Sequence, residues 1–76
     1  MFSTKVKQEV IASNKTETGY AFVSTCQTFD HGLETMVFPC DENGEVTDWL
    51  ELEADRYYDM AEALSGHNAI ADRWKK

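Results

Sequence analysis

The sequence predicts an α+β domain: a small antiparallel sheet of three or four strands, then one C-terminal amphipathic helix packed on it, in the order β-β-β-(β)-α. Three observations carry this reading. Residues 59–74 place Met60, Ala63, His67, Ile70, Ala71 and Trp74 on one stripe at 100° per residue. Residues 20–29 and 33–38 are runs of Tyr, Phe, Val, Thr and Leu on either side of a turn signal, Asp30-His31-Gly32. At 76 residues the chain makes a single domain, 1–76, close to the size at which one core is barely sufficient.

Residues 2–12 alternate with period two. Phe2, Thr4, Val6, Gln8, Val10 and Ala12 fall on one side and Lys5, Lys7, Glu9 and Ile11 on the other, as in a half-buried strand. Residues 13–19 (SNKTETG) are polar and end in Gly, which predicts a flexible hairpin connection.

The next two runs form a hairpin. Pairing Phe29 with Leu33 sets Cys26 opposite Met36 and Ser24 opposite Phe38. One face then carries Tyr20, Phe22, Cys26, Met36 and Phe38, and the other Ala21, Val23, Phe29, Leu33 and Val37, diluted by Thr25, Gln27 and Thr35. The first face is richer in large apolar groups and is expected to receive the helix. The second, through Val23, Phe29, Leu33 and Val37, is then the expected interface with a second copy or another protein.

Pro39 is expected to end the pairing, because it has no N–H for a ladder. Asn43-Gly44 marks a turn, since that pair suits positions with positive φ. Residues 46–52 supply a short fourth strand or an apolar clip through Trp49, Leu50 and Leu52.

The helix begins with a capping box. Asp59 accepts from an early backbone N–H while Glu62 reaches back, and both acids lie at the positive end of the helix dipole. One of Tyr57 and Tyr58 is expected to pack on the first turn. Lys75 and Lys76 suit the negative end. Gly66, inside the helix, costs about 1 kcal/mol relative to Ala; close approach of a neighbouring strand would explain it.

Bulk composition excludes whole classes of function. With 42% hydrophobic residues and nine aromatics the chain is a folded domain, with an expected stability of about 4–8 kcal/mol. Fourteen acids against seven bases give a net charge of −7, which opposes direct binding to nucleic acid or to anionic lipid. A basic partner protein, a cation or simply solubility is left, and solubility alone would account for the charge. No apolar run approaches a membrane span and the N-terminus has no signal-peptide pattern, so a cytoplasmic location is expected.

Nine acids fall within residues 41–62, countered by Arg56 alone. Calcium is a poor fit. With Gly44 at the sixth position of an EF-hand loop, Pro39 would stand at the first ligand position and Leu50 at the twelfth. Paired-carboxylate catalysis needs a cleft that so short a chain rarely forms. Two readings stay open: a solvated acidic face, and carboxylates at Glu42, Glu45, Asp48 and Glu51 imitating phosphates toward a basic protein.

Cys26 and Cys40 are expected to be free thiols. In the register above, Cys40 stands about 13 Å along the ladder from Cys26, beyond disulfide reach. Cys26 reads as a small buried apolar residue, and His67 as a core residue whose ring nitrogens find a carbonyl or hydroxyl. The aromatics Trp49, Trp74, Tyr57 and Tyr58 read as core before interface. These residues indicate no catalytic group, cofactor or metal; an enzyme acting through Cys26 or His67 is the least favoured class.

The succession Glu34-Thr35-Met36-Val37-Phe38, the acidic Asn-Gly turn, Thr47-Asp48-Trp49, Arg56-Tyr57, Ala63-Leu64-Ser65-Gly66-His67 and a closing Trp74 resembles a group of small, uncharacterised phage and prophage proteins. The resemblance covers about residues 20–74 and assigns no functional residues. It implies synthesis inside an infected bacterium, as an intracellular product or a virion component. The expectation is a non-enzymatic phage-type accessory protein that binds itself, a phage protein or a host protein, with an acidic inhibitor of a host nucleic-acid enzyme as the alternative.

Overall fold

The computed structural model describes residues 3–75. Phe2, expected in the first strand, and Lys76, expected at the helix end, lie outside them. Strands β1 (Ser3–Ala12), β2 (Tyr20–Thr28), β3 (Gly32–Cys40) and β4 (Glu53–Tyr57) form one antiparallel sheet in the order β1-β2-β3-β4, and helix α1 (Met60–Trp74) packs on one face of it. The architecture is therefore β-β-β-β-α. The fourth strand is not residues 46–52. Val46 makes one isolated bridge to Cys40, and the strand proper is the polar run Glu-Ala-Asp-Arg-Tyr, held by its pairing with Leu33–Val37.

The helix covers the face opposite to the one expected. Ile11, Ala21, Val23 and Val37 are buried beneath Ile70 and Ala71, with Trp74 at the margin. Val23 and Val37 are fully buried and Leu33 nearly so, so they form no external interface. Phe29 is 89% exposed in the β2–β3 turn, off both faces. Apolar bulk does not decide which face the helix covers. Thr25 and Thr35, which seemed to dilute this face, are the polar partners that a helix carrying His67 requires.

The hairpin register is shifted by two. Thr28 pairs with Gly32, Cys26 with Glu34 and Ser24 with Met36, around a three-residue turn whose Thr28 hydroxyl accepts from the His31 N–H at 3.1 Å. A two-residue shift keeps every side chain on its face, so the division into faces stands. In β1 it does not. A bulge between Lys5 and Lys7 breaks the alternation, so Thr4 (opposite Gln27) and Lys7 (opposite Thr25) share the helix face with Glu9 and Ile11. Pro39 stays in the ladder opposite Ala21, beyond the last β3–β4 pair.

Asp59 caps α1 with extended backbone angles, its carboxylate accepting from Glu62 N at 2.8 Å. Glu62 reaches back one residue further than expected, to the N–H of Tyr58 at 3.0 Å. Ala63, His67, Ile70 and Ala71 line the buried stripe, whereas Met60 at its head is exposed. The connection 13–19 is held by its own bonds, Ser13 N to the Gly19 carbonyl (2.9 Å) and the Thr16 hydroxyl to the Tyr20 carbonyl (2.9 Å). Lys15 also donates to the carbonyl of Arg73, tying this loop to the helix end.

Candidate protein-binding surface

Two constellations stand out, one under the helix and one on the open face of the sheet. Beneath the helix, one residue from each of the five elements joins a single chain of hydrogen bonds. The Tyr57 hydroxyl donates to Thr35 Oγ1 (3.1 Å), Thr35 and Thr25 hydroxyls meet at 2.5 Å, and Thr25 Oγ1 meets His67 Nδ1 at 2.6 Å. His67 Nε2 lies 2.8 Å from Glu9 Oε1.

One direction satisfies every group. Tyr57 donates to Thr35, Thr35 to Thr25, Thr25 to Nδ1, and Nε2–H to the carboxylate; this tautomer is assigned from the network. The order carboxylate, imidazole, hydroxyl has the composition of a nucleophilic triad. Its hydroxyl and its ring are both wholly buried. The arrangement acts as a lock, because a fully connected polar network fixes helix position where apolar contacts alone would slide. His67 is thus the core residue expected, with a carboxylate as its second partner. Tyr57, rather than Tyr58, packs on the helix.

The open face carries Gln8 and Val10 of β1, Phe22, Ser24 and Cys26 of β2, and Glu34, Met36 and Phe38 of β3. Residues 41–52 fold over its upper end. Asp41 organises the turn, its carboxylate accepting from Asn43 N (2.9 Å) and Glu45 N (3.0 Å). Gly44 has φ of +87° and lies so close to Val10 that a Cβ there would come within 2.9 Å of Val10 Cγ2. Trp49 meets the Phe38 ring edge-on, with centroids 5.1 Å apart.

That cover is itself a surface. Trp49 is 70% exposed, Leu50 71% and Leu52 45%, beside the exposed Val10. Glu42, Glu45, Asp48 and Glu51, all exposed, precede and interleave with these apolar groups along the chain, and Asp48 caps the turn by accepting from Leu50 N at 3.0 Å. The acids singled out in the sequence and the aromatic read as core therefore lie exposed in one segment. Trp74, by contrast, is half-buried, its indole N–H donating to Glu53 Oε1 at 2.6 Å.

The thiols are both free, and Cys26 is less buried than expected. Cys26 is half-buried and touches Ser24 Oγ (3.4 Å), while Cys40 is wholly buried. Burial, and then the neighbouring Asp41 charge, push the Cys40 thiol above its ordinary range. Among the described residues no three His, Cys, Asp or Glu side chains converge as metal ligands, and no helix is long and apolar enough to cross a membrane.

Sequence reasoning passed over Glu34, which lies on the open face at a spacing of two from Met36 and Phe38 and is only 7% exposed. The signal was present as an acid inside an apolar alternation. Comparison with known protein families, curated proteins and solved structures finds no match.

Proposed function

We propose that this chain works by binding a basic protein through residues 41–52 and the adjoining open face, in the phage or prophage setting that its resemblance implies. The observation that carries the reading is the exposure of Trp49, Leu50 and Leu52 amid unopposed carboxylates. Isolated surface apolar residues are ordinary, but a Trp and two leucines gathered in one segment are characteristic of binding surfaces. Six acids and no base between residues 41 and 53 select the partner's sign. The same charge disfavours a homodimer through this patch, since two copies would set like charges against one another.

A second reading, mimicry of a phosphate backbone, rests on the spacing of Glu42, Glu45, Asp48 and Glu51 along the exposed segment. The two differ in what dominates. Tagged wild-type protein, Trp49→Ala/Leu50→Ser, and a Glu42→Gln/Glu45→Gln/Asp48→Asn/Glu51→Gln variant would each be used to capture partners from the producing bacterium at low and high salt. A basic partner lost from both variants supports the apolar-plus-charge surface. Loss from the charge variant alone, with competition by duplex DNA, supports mimicry. A partner retained by both variants overturns both readings.

A further inference from the structure

Below the cover formed by residues 41–52, the open face holds a cavity of about 190 Å³ lined by Ser24, Cys26, Thr28, Glu34, Met36 and Phe38, with Ser3 at its rim. It is smaller than the roughly 300–1,000 Å³ of ordinary small-molecule pockets, and of a size for one side chain. The lining is graded. Phe38 and Met36 form an apolar end, and Glu34, Thr28 and Ser3 a polar end, two strand residues (roughly 7 Å) beyond Met36.

Glu34 is more than nine-tenths buried as a residue; its carboxylate oxygens still reach water, and among the described residues they have no hydrogen-bond or ion-pair partner. A carboxylate set in a largely apolar recess, with only a little water at its oxygens, attracts a counter-charge more strongly than one in open solvent. Lys5 and Arg56 lie in the same cross-strand row, but both are exposed, and the Arg56 guanidinium is directed to His31 Nδ1 at 3.4 Å. The cavity therefore presents a carboxylate with no counter-charge from the described residues at the end of a short apolar trough.

We infer that this cavity receives one alkylammonium group, the side chain of a lysine on the basic partner, its stem along Met36 and Phe38 and its ammonium on Glu34. The inference rests on the binding reading above and narrows it to a partner that sets an apolar group on Trp49 and a lysine beyond it. Lysine is the occupant because the recess is of one-side-chain size with an apolar stretch leading to its acid: a flexible four-carbon stem lies along Met36 and Phe38, and a compact ammonium with three rotatable donors meets the carboxylate and the neighbouring hydroxyls.

The test uses the whole chain and a small probe, so it needs no protein partner. Uniformly 15N-labelled protein is titrated with n-butylammonium chloride, and separately with n-butanol, while amide signals are followed. The expected result is saturable shifts at residues 24, 26, 34, 36 and 38 from the ammonium, at least fivefold weaker with the alcohol. They should vanish in Glu34→Gln and persist in Trp49→Ala/Leu50→Ser.

Shifts elsewhere, equal response to the alcohol, or unchanged response in Glu34→Gln would overturn the assignment. So would binding that appears only after Lys5→Ala or Arg56→Ala, because Glu34 would then be satisfied from within. A Glu34→Asp variant, which keeps the charge but withdraws it, should bind more weakly than wild type and guards against a folding defect in Glu34→Gln. Failure here would leave the Trp49 surface standing, and failure of that surface in partner capture would leave this titration unaffected.

Discussion

Gly66 of α1 is the seat of the Tyr57 ring from β4: a Cβ on residue 66 would stand 2.5 Å from both the ring carbon Cζ and the hydroxyl oxygen. The glycine therefore lets the phenol slide beneath the helix to reach Thr35. Gly66→Ala gains about 1 kcal/mol of helix propensity but forces the ring out of place, which costs about 1–3 kcal/mol and breaks the bond to Thr35 as well. The expected outcome is a net loss of about 2 kcal/mol in urea unfolding. A stabilised Gly66→Ala protein would show that the ring has room to move.

The hydrogen-bond chain predicts coupling between β2 and α1. Thr25→Val leaves His67 Nδ1 without its donor and the Thr35 O–H without its acceptor, although Thr35 still accepts from Tyr57, for a loss of about 2–3 kcal/mol. His67→Leu removes the imidazole but strands the Thr25 hydroxyl. The double variant removes both ends of that contact, while Glu9, a third exposed, can turn to water. Its destabilisation should fall short of the sum of the two single losses by about 1 kcal/mol or more in a double-mutant cycle.

Stability should decline at alkaline pH for two identifiable reasons. Burial pushes the Tyr57 phenol above its ordinary value of 10.0. The hydrogen bond to Thr35 works against this, the charges of Asp55 and Glu53 add to it, and Arg73 opposes it. Burial likewise raises the Cys40 thiol above 9.0. Both groups hold their protons more tightly folded than unfolded. Their contribution is whole below pH 9 for Cys40 and below pH 10 for Tyr57, and drains away as pH rises through each folded value. Denaturant midpoints measured from pH 8 to 11 should fall, and Cys40→Ala should flatten the earlier part of the fall and Tyr57→Phe the later part.

The two thiols should separate kinetically. Cys26, half-buried on the open face, should react with a chromogenic disulfide in the native protein. Cys40, sealed and with its thiolate disfavoured, should react only as the chain unfolds. One fast thiol per chain, abolished by Cys26→Ala, is the expected readout.

Glu34 offers a trade between stability and binding. Replacing a buried acid that lacks a described partner with an apolar residue of similar length, Glu34→Met, should raise stability by about 1–2 kcal/mol. The same change should abolish the ammonium response. Thermal melts of the variant read the first effect and the amide titration the second.

Much of this fold was legible in the residues. The Asp59 cap, the Ala63–His67–Ile70–Ala71 stripe, the β2–β3 hairpin and its two faces follow from local periodicity and capping chemistry, which act within a few residues. The face that the helix covers was not legible, because the choice depends on whether buried threonines find a partner, and that partner, His67, comes more than thirty residues later. Strand β4 escaped for a related reason. Its five residues are mostly exposed and polar, and only the edge of β3 makes them a strand. The acids of the candidate surface were visible, but its aromatic was not, since a Trp in a small domain reads as core until the loop that carries it is seen lying outside the sheet.

Every strand pairs with its neighbour in the chain, so the sheet can assemble hairpin by hairpin as the polypeptide leaves the ribosome. Its inner face cannot be closed in that order. Ala21, Val23 and Val37 wait uncovered until Ile70 and Ala71 have been synthesised, and Glu9 meets His67 only after 57 intervening residues have been added. Through that interval the nascent sheet presents a greasy surface with two hydroxyls at its centre, and the last helix acts as a late stopper. A stalled or truncated product lacking it would be a ready client for chaperones and proteases.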